Sequence, residues 1–306
     1  MIQAKLAWQS KVVLLLVVPA AAADVVLQGH WWAGQQAPVA IWTLGLSLLL
    51  GLVTLKLRAA TPAAAATGVA ITASLMFSTA TIPYLPWRTA LIPVLAVSLL
   101  AWGSTRVGRT QKERLGTAEE RHGRAASQVA ANLGVAALTS EAVVQSWLMN
   151  RPWLERATVA PMPLFAVGLA ALAEAAADTV SSEFGQVFGG RPRMVTTLRA
   201  VEPGTDGAIS VMGTLAGIVA AGVVAASGTV AVSGDRTMFG VSCAGGVFGL
   251  LFDSLLGATA EEWGWLNNDA VNFLSTASAA AFALGLLAMM PHGATGIDLI
   301  IPMQGR

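Results

Sequence analysis

Apolar residues along this chain come in long blocks separated by short polar interruptions. Blocks at 12–28, 38–55, 62–82, 88–103, 125–149, 160–184, 207–232, 238–257 and 271–290 each predict a helix buried in hydrocarbon. The pattern predicts an all-α, polytopic transmembrane helical bundle of about nine spans. The block at 62–82 is the weakest: it is rich in Ala, Thr and Ser, and Pro83 and Pro86 break the chain just after it. A re-entrant or interfacial segment there is the alternative, and it would reverse the orientation of the upstream part.

Composition narrows the class. The 306 residues are 55% hydrophobic and 11% charged, so uncharged runs are long enough to cross a bilayer. The chain reads as a single integral-membrane domain over 1–306, with N-terminal spans in 1–103 and a basic cytoplasmic loop at 104–124. A catalytic-like helical core follows at 125–290, with its own cytoplasmic loop at 185–206. A net charge of +1 gives no global basic field, so no nucleic-acid partner is expected. Cys243 stands alone, which excludes an internal disulfide and a cysteine zinc cage. His30, His122 and His292 are scattered and lend no support to a histidine metal site or a Ser-His-Asp triad. Lys5 and Lys11 before an apolar run ending in Ala21-Ala22-Ala23 imitate a secretory signal; a retained first span is the preferred reading.

Charge then orients the bundle. With nine spans and the N-terminus inside, thirteen of the eighteen Lys and Arg residues fall on the cytoplasmic side. The implied location is a bacterial-type inner (plasma) membrane. The same orientation places Asn132, Glu183, Asp206, Asp253 and Asn272, from five different blocks, on one cytoplasmic face. Trp31, Trp32, Trp87, Trp102, Trp147, Trp153, Trp263 and Trp265 fall near block ends, as an interfacial belt does. Gly213-xxx-Gly217 and Gly245-xxx-Gly249 predict close helix packing and leave a homodimer open.

The chemistry concentrates between Ala173 and Ser210. A carboxylate near mid-membrane costs about 2.5–3.5 kcal/mol on insertion scales, so Glu174, Asp178 and Glu183 require a polar cavity or a partner. Glu174, Asp178 and Ser182 share a helical face, with Ser181 beside them. Glu183 points about 140° away from Asp178 on a straight helix. For both to serve one site, the helix must unwind near Gly185 or two helices must share them. These acids predict either a magnesium site or carboxylates satisfied by Arg or Ser within the bundle. After them, Arg191, Arg193 and Arg199 supply positive charge and Thr196 and Thr197 supply hydroxyls. Pro203-Gly204-Thr205-Asp206-Gly207 predicts a turn into a new helix N-terminus. That is either an anion cradle or an ordinary positive-inside loop. The chain lacks the G-x-x-x-x-G-K-[ST] phosphate loop. Asp253, beside Ser254, is a second isolated acid in an apolar block. Glu261 and Glu262 read as solvated loop residues, and capping explains one or two of Asn267, Asn268, Asp269 and Asn272.

Several blocks carry a family resemblance. They are Ser104–Gly108 with Arg106, Gly123-Arg124, Gln128–Val135 with Asn132, Ala177–Gly185, Val195–Thr197, Pro203–Ser210, Asp253–Thr259 and Val271–Ser275. In these the chain resembles the integral-membrane family of transmembrane protein nineteen and the plant phytyl-phosphate kinase of tocopherol synthesis. The resemblance implies an all-helical membrane enzyme that uses a nucleoside triphosphate to convert an isoprenyl monophosphate into the diphosphate. More distantly, the chain is similar to polyprenol kinases and phosphatidate cytidylyltransferases, which use CTP and magnesium. The implied cofactors are Mg2+ and a nucleoside triphosphate, CTP or ATP; the implied partner is an isoprenyl phosphate in the membrane. By carry-over, Asp178, Glu183 and Asp253 form the acidic centre and Thr196, Thr197, Gly204, Thr205 and Asp206 the phosphate loop. Asp206 and Glu261 depart from the family pattern, where amides are common. A cytidylyltransferase that releases pyrophosphate and a lipid-phosphate transporter with proton or cation sites are the competing readings.

Overall fold

A computed structural model describes residues 6–116, 123–151 and 162–290. Lys5, His122, Trp153 and His292, together with part of the basic loop, lie outside the described residues. The helices are α1 (Ala7–Gln35), α2 (Ala37–Lys56), α3 (Pro62–Ser78), α4 (Leu91–Ser104), α5 (Arg109–Leu115) and α6 (Ala126–Ser140). They continue as α7 (Ala142–Met149), α8 (Met162–Phe188), α9 (Val211–Ala231), α10 (Arg236–Leu256) and α11 (Asn268–Met289). Each of the nine apolar blocks overlaps at least one of these helices.

Among the described residues, six helices, α1, α2, α8, α9, α10 and α11, are long and apolar enough to span a bilayer by length and composition. The expectation of about nine spans is not confirmed, because three blocks hold shorter helices. The weak third block is α3, a 17-residue helix, and the fourth is α4, with 14. The fifth breaks after Ser140 into α6 and α7, because Glu141 takes a non-helical backbone with ψ of 138°. Within the basic loop lies α5, entered through Gly108 in the left-handed region.

α8 is the axis of the bundle, with 89% of its apolar window buried against 22% for α1. It packs on α4, α6, α9, α10 and α11. Its sequence explains this: Ala166, Ala170, Ala171, Ala173, Ala176 and Ala177 are all fully buried, and a helix of small residues lets neighbours approach from every side. The neighbours meet it with glycine. A Cβ at Gly217 of α9 would stand 2.9 Å from the Ala177 carbonyl, and one at Gly245 of α10 would stand 2.8 Å from Ala170 Cβ. Both small-residue motifs thus face α8, which leaves neither available to pair with a second copy.

α1 is built into the same bundle. Val17 and Ala21 are fully buried, and Asp24 accepts hydrogen bonds from Ser74 at 2.6 Å and Gln28 at 2.8 Å. At its start, Gln9 donates to the Trp265 carbonyl at 2.8 Å and Ser10 donates to Asp269 at 2.6 Å, tying α1 to the entrance of α11. Trp31, Trp87, Trp147, Trp263 and Trp265 are exposed, as an interfacial belt requires; Trp32 instead packs with Val39 and Phe77.

Candidate functional site

The segment between α8 and α9 folds as a hairpin, with β1 (Arg193–Met194) antiparallel to β2 (Ala208–Ile209). Thr205 closes a tight turn inside it: its hydroxyl donates to the Glu202 carbonyl at 2.8 Å, and Ala208 N donates to the Thr205 carbonyl at 3.1 Å. Gly204 and Gly207 have φ of 88° and 72°, a region costly for any residue with a Cβ. The turn rests on α10 where that helix widens into a π-turn at Gly257–Glu261, and a Cβ at Gly257 would stand 2.7 Å from Gly207 N. The predicted helix start at Gly207 is corrected: α9 begins after Ser210, whose Oγ accepts from Gly213 N at 3.1 Å. Ser210 supplies a side-chain acceptor for the first turn, which Gly207 lacks.

Between this turn, α8, α10 and the entrance of α11 lies a polar cleft of about 420 Å3. α8 contributes Asp178, Ser181 and Ser182 to its wall, and α10 contributes Asp253 and Ser254. The hairpin contributes Gly204, Thr205, Asp206 and Ser210, and α11 contributes Asn272. Asp178 and Asp253 face each other closely enough for their carboxyls to interact directly. Glu174 lies one turn deeper on α8, 1% exposed, and the Ser275 hydroxyl of α11 reaches both it and Asp253. Gly249 makes room for Glu174, since a Cβ there would stand 2.5 Å from Glu174 Cγ. Glu174 Oε1 and Asp253 Oδ1 are buried without a hydrogen-bond partner. Three crowded acids, two of them with an unsatisfied oxygen, are costly as a purely structural feature. At the rim, burial raises the Asp206 carboxyl above its ordinary value.

Other candidates are placed elsewhere. α8 is continuous through Phe188, so the unwinding that would turn Glu183 toward Asp178 does not occur. Glu183 instead forms an ion pair with Lys112 of α5, away from the cleft lining. Arg191, Arg193, Thr196, Thr197 and Arg199 are exposed and do not line the cleft. Their hydrogen bonds are local, such as Arg193 Nη1 to the Leu198 carbonyl at 2.8 Å and Arg199 N to Thr197 Oγ1 at 3.4 Å. Arg106 and Asn132 line a second cavity. Glu261, read as solvated, lines the cleft, whereas Glu262 is exposed. Asn267 caps α11, accepting from Ala270 N at 2.9 Å. Among the described residues, no group of three or more His, Cys, Asp or Glu side chains is arranged to hold a metal ion.

Lys112 is the residue that sequence reasoning missed. It is 1% exposed and donates to the Ser104 and Thr105 carbonyls at 3.1 and 3.2 Å as well as to Glu183. In the sequence it is one cation among several in a basic run, and nothing in the spacing singles it out.

Six helices fit to span a bilayer, packed around an acid-bearing axis with a polar cleft at one end, define a polytopic integral membrane protein. The sequence profile of the family described as integral membrane protein DUF92 matches residues 45–280, and the chain belongs to that family. It is 44% identical over 108 residues to an uncharacterized membrane protein of Methanocaldococcus jannaschii, covering 35% of this chain and 45% of that one. It is 35% identical over 209 residues to an uncharacterized membrane protein of Synechocystis, covering 66% of this chain and 75% of the relative. It is 29% identical over 218 residues to Protein VTE6, chloroplastic, of Arabidopsis thaliana, covering 65% of this chain and 60% of the plant protein. The chain thus spans less than two thirds of the archaeal and plant relatives. No solved structure matches it.

Proposed function

We propose that this protein is a membrane phosphotransferase that moves a phosphoryl group from a nucleoside triphosphate, CTP or ATP, to an isoprenyl monophosphate of the phytyl or geranylgeranyl type. The observation that carries the reading is the cleft in which Asp178 and Asp253 face the Thr205–Asp206 turn and the Ser210 cap of α9. Its membership in a family with a plant member, together with the resemblance to phytyl-phosphate kinase, supports the choice of substrate.

Phosphoryl transfer asks for positioning and charge neutralisation more than for covalent chemistry by the protein. In this reaction an oxygen of the lipid phosphate bonds to the terminal phosphorus of the nucleotide while the bond from that phosphorus to the bridging oxygen breaks. The attacking oxygen is already anionic, so no side chain need remove a proton. The chain's part is to hold the two phosphates in line. Ser210 offers a hydroxyl, and the first backbone N–H groups of α9 favour an anion.

Asp178 and Asp253 fit magnesium, which takes one or two carboxylates and completes its shell with water and substrate phosphate oxygens. Asp253 Oδ1, buried and without a donor, is the acceptor such an ion would use. When bound, magnesium would neutralise phosphate charge. The predominance of Lys and Arg at the cleft end of the bundle favours a cytoplasmic cleft in a bacterial-type inner membrane. Nucleotide would then arrive from water and lipid from the bilayer.

The test is incubation of the detergent-purified protein with magnesium, phytyl or geranylgeranyl monophosphate, and ATP, CTP, GTP or UTP in parallel, with lipid products read by mass spectrometry. A diphosphate lost on chelation supports the kinase and names its nucleotide. A nucleotidyl-lipid moves the protein to the cytidylyltransferases, and binding without turnover to lipid-phosphate transport. Asp178→Asn and Asp253→Asn are each expected to lower turnover by about 100-fold or more while the protein stays folded. Full activity in either variant removes that residue from the centre.

A further inference from the structure

A second cavity, of about 180 Å3, lies among α2, α3, α4 and α6 and shares no lining residue with the acidic cleft. Its two ends differ in chemistry. One end collects Arg58, Arg106 and Arg124, from three separate connections between helices, with Arg109 and Lys112 of α5. The other is walled by apolar side chains, among them Leu50, Val94, Val97, Val129 and Leu133. From Arg106 back to Val94 the chain climbs twelve residues, roughly 18 Å at the rise of a helix, which is over half of a hydrocarbon core of about 30 Å.

Arg109 pairs with Glu113 at 3.1 Å and Lys112 pairs with Glu183, but Arg58 and Arg106 have no carboxylate partner among the described residues. Arg106 is held ready by other means: its guanidinium lies 3.8 Å from the centroid of the Trp102 ring, and Nη1 donates to the Trp102 carbonyl at 3.0 Å. Arg124 is fixed by its backbone. Its N–H donates to the Ala59 carbonyl and its own carbonyl accepts from Thr61 N, each at 3.0 Å, stitching the entrance of α6 to the α2–α3 corner. Cations at the mouth and an apolar wall behind them match an amphiphile with a small anionic head and a hydrocarbon tail. A single-chain phosphate monoester fits that description better than a two-chain diester, given the narrow volume and several converging cations.

The cavity also lies against the acidic cleft. Asn132 borders the cavity and Asn272 borders the cleft, and the two are hydrogen bonded at 3.1 Å. Arg124 Nη2 stands 3.5 Å from Thr179 Oγ1 on α8, the residue after Asp178.

We propose that this cavity is the acceptor site, binding an isoprenyl monophosphate with its phosphate among Arg58, Arg106 and Arg124 and the near part of its chain along Val94, Val97 and Leu133. The remainder of the chain extends into the bilayer. Acceptor and donor then meet beside the Asn132–Asn272 pair. The identity of the lipid rests on the phosphotransferase reading; the location of the site does not.

The experiment is photo-crosslinking of the full-length, detergent-purified protein with an isoprenyl monophosphate that carries a diazirine on its chain, with adducts mapped by mass spectrometry. Adducts are expected within 94–101 and 129–133. Phytyl monophosphate should compete, whereas the free alcohol, inorganic phosphate and phosphatidylglycerol should not. Arg106→Gln, at an exposed position where folding is not at stake, should lower labelling by about tenfold. Adducts on 203–210, adducts spread evenly over the lipid-facing helices, or equal competition by phosphatidylglycerol would overturn the proposal. Labelling of the cavity in a protein that shows no turnover upholds the site and rejects the kinase. Turnover with labelling elsewhere upholds the kinase and rejects the site.

Discussion

Asn272 of α11 donates from Nδ2 to Asn132 Oδ1 of α6 over 3.1 Å, and the two amides border different cavities. The bond crosses the boundary between the basic cavity and the acidic cleft. Asn132 is 8% exposed, so Asn272→Ala leaves a buried amide short of a hydrogen bond, at about 1–3 kcal/mol, and Asn132→Ala leaves the half-buried Asn272 amide without it. Asn132→Ala and Asn272→Ala should each lower the melting temperature and reduce turnover by at least about tenfold. The double variant should lose much less than the sum, because one bond is removed once. Additive losses in melting temperature would mean that the two side chains act independently.

Glu174 can occupy the bundle axis because position 249 has no side chain. In Gly249→Ala the new Cβ would stand 2.5 Å from Glu174 Cγ, 2.8 Å from Ala279 Cβ and 3.0 Å from the Ser275 carbonyl. Overpacking of this kind costs about 1–3 kcal/mol. Thermal unfolding in detergent should show Gly249→Ala destabilised, with part of the loss recovered in Gly249→Ala/Glu174→Ala. No recovery would place the strain on Ala279 and the Ser275 backbone instead.

The Lys112–Glu183 pair predicts an asymmetry. The Lys112 side chain is 2% exposed and that of Glu183 is 16% exposed. Removing one member of a buried pair strands the other charge, at about 3–5 kcal/mol when both are fully buried. Glu183→Gln strands the more deeply buried charge and should destabilise more than Lys112→Met, which leaves a carboxylate with access to water. Denaturation of the two single variants in one detergent decides it, and the reverse order would show that the two carbonyl bonds of Lys112 suffice to hold its charge.

The sequence pattern reached the helices and the central acids because both follow from the cost of polar groups in hydrocarbon. Each apolar block overlaps a helix, and Asp178 and Asp253, singled out for that cost, do come together. The same argument applies to Asp24, whose carboxylate in α1 is met by Ser74 at 2.6 Å. The break between Ser140 and Glu141 is hidden because a hydropathy window averages across it, and two-residue strands carry no period to read. The loop arginines and threonines have the right chemistry for phosphate, but hairpin pairing places Arg191, Thr196, Thr197 and Arg199 on the exposed side. Residue type named the phosphate chemistry, while the direction in which each side chain points depended on a turn centred on Thr205.

Asp206 gives the pH dependence. Burial raises its carboxyl above the ordinary 3.8, so the folded protein binds this proton more tightly than the unfolded chain does. Stability then falls as pH rises through the window from 3.8 up to the raised folded value, because the folded state must give up a proton it holds preferentially. Above that window the wild-type protein carries the full cost of a buried, ionised Asp206; below 3.8 it carries none. Asp206→Asn removes the titration, so the variant should melt higher than wild type near pH 7, with the gap closing as pH falls. Melting temperatures of both proteins from pH 3 to 8, with chelator present to keep cations out of the cleft, give the difference curve. A gap that widens toward low pH would mean that the folded state stabilises the Asp206 carboxylate, and that the turn at Thr205–Asp206 is organised around a donor to it.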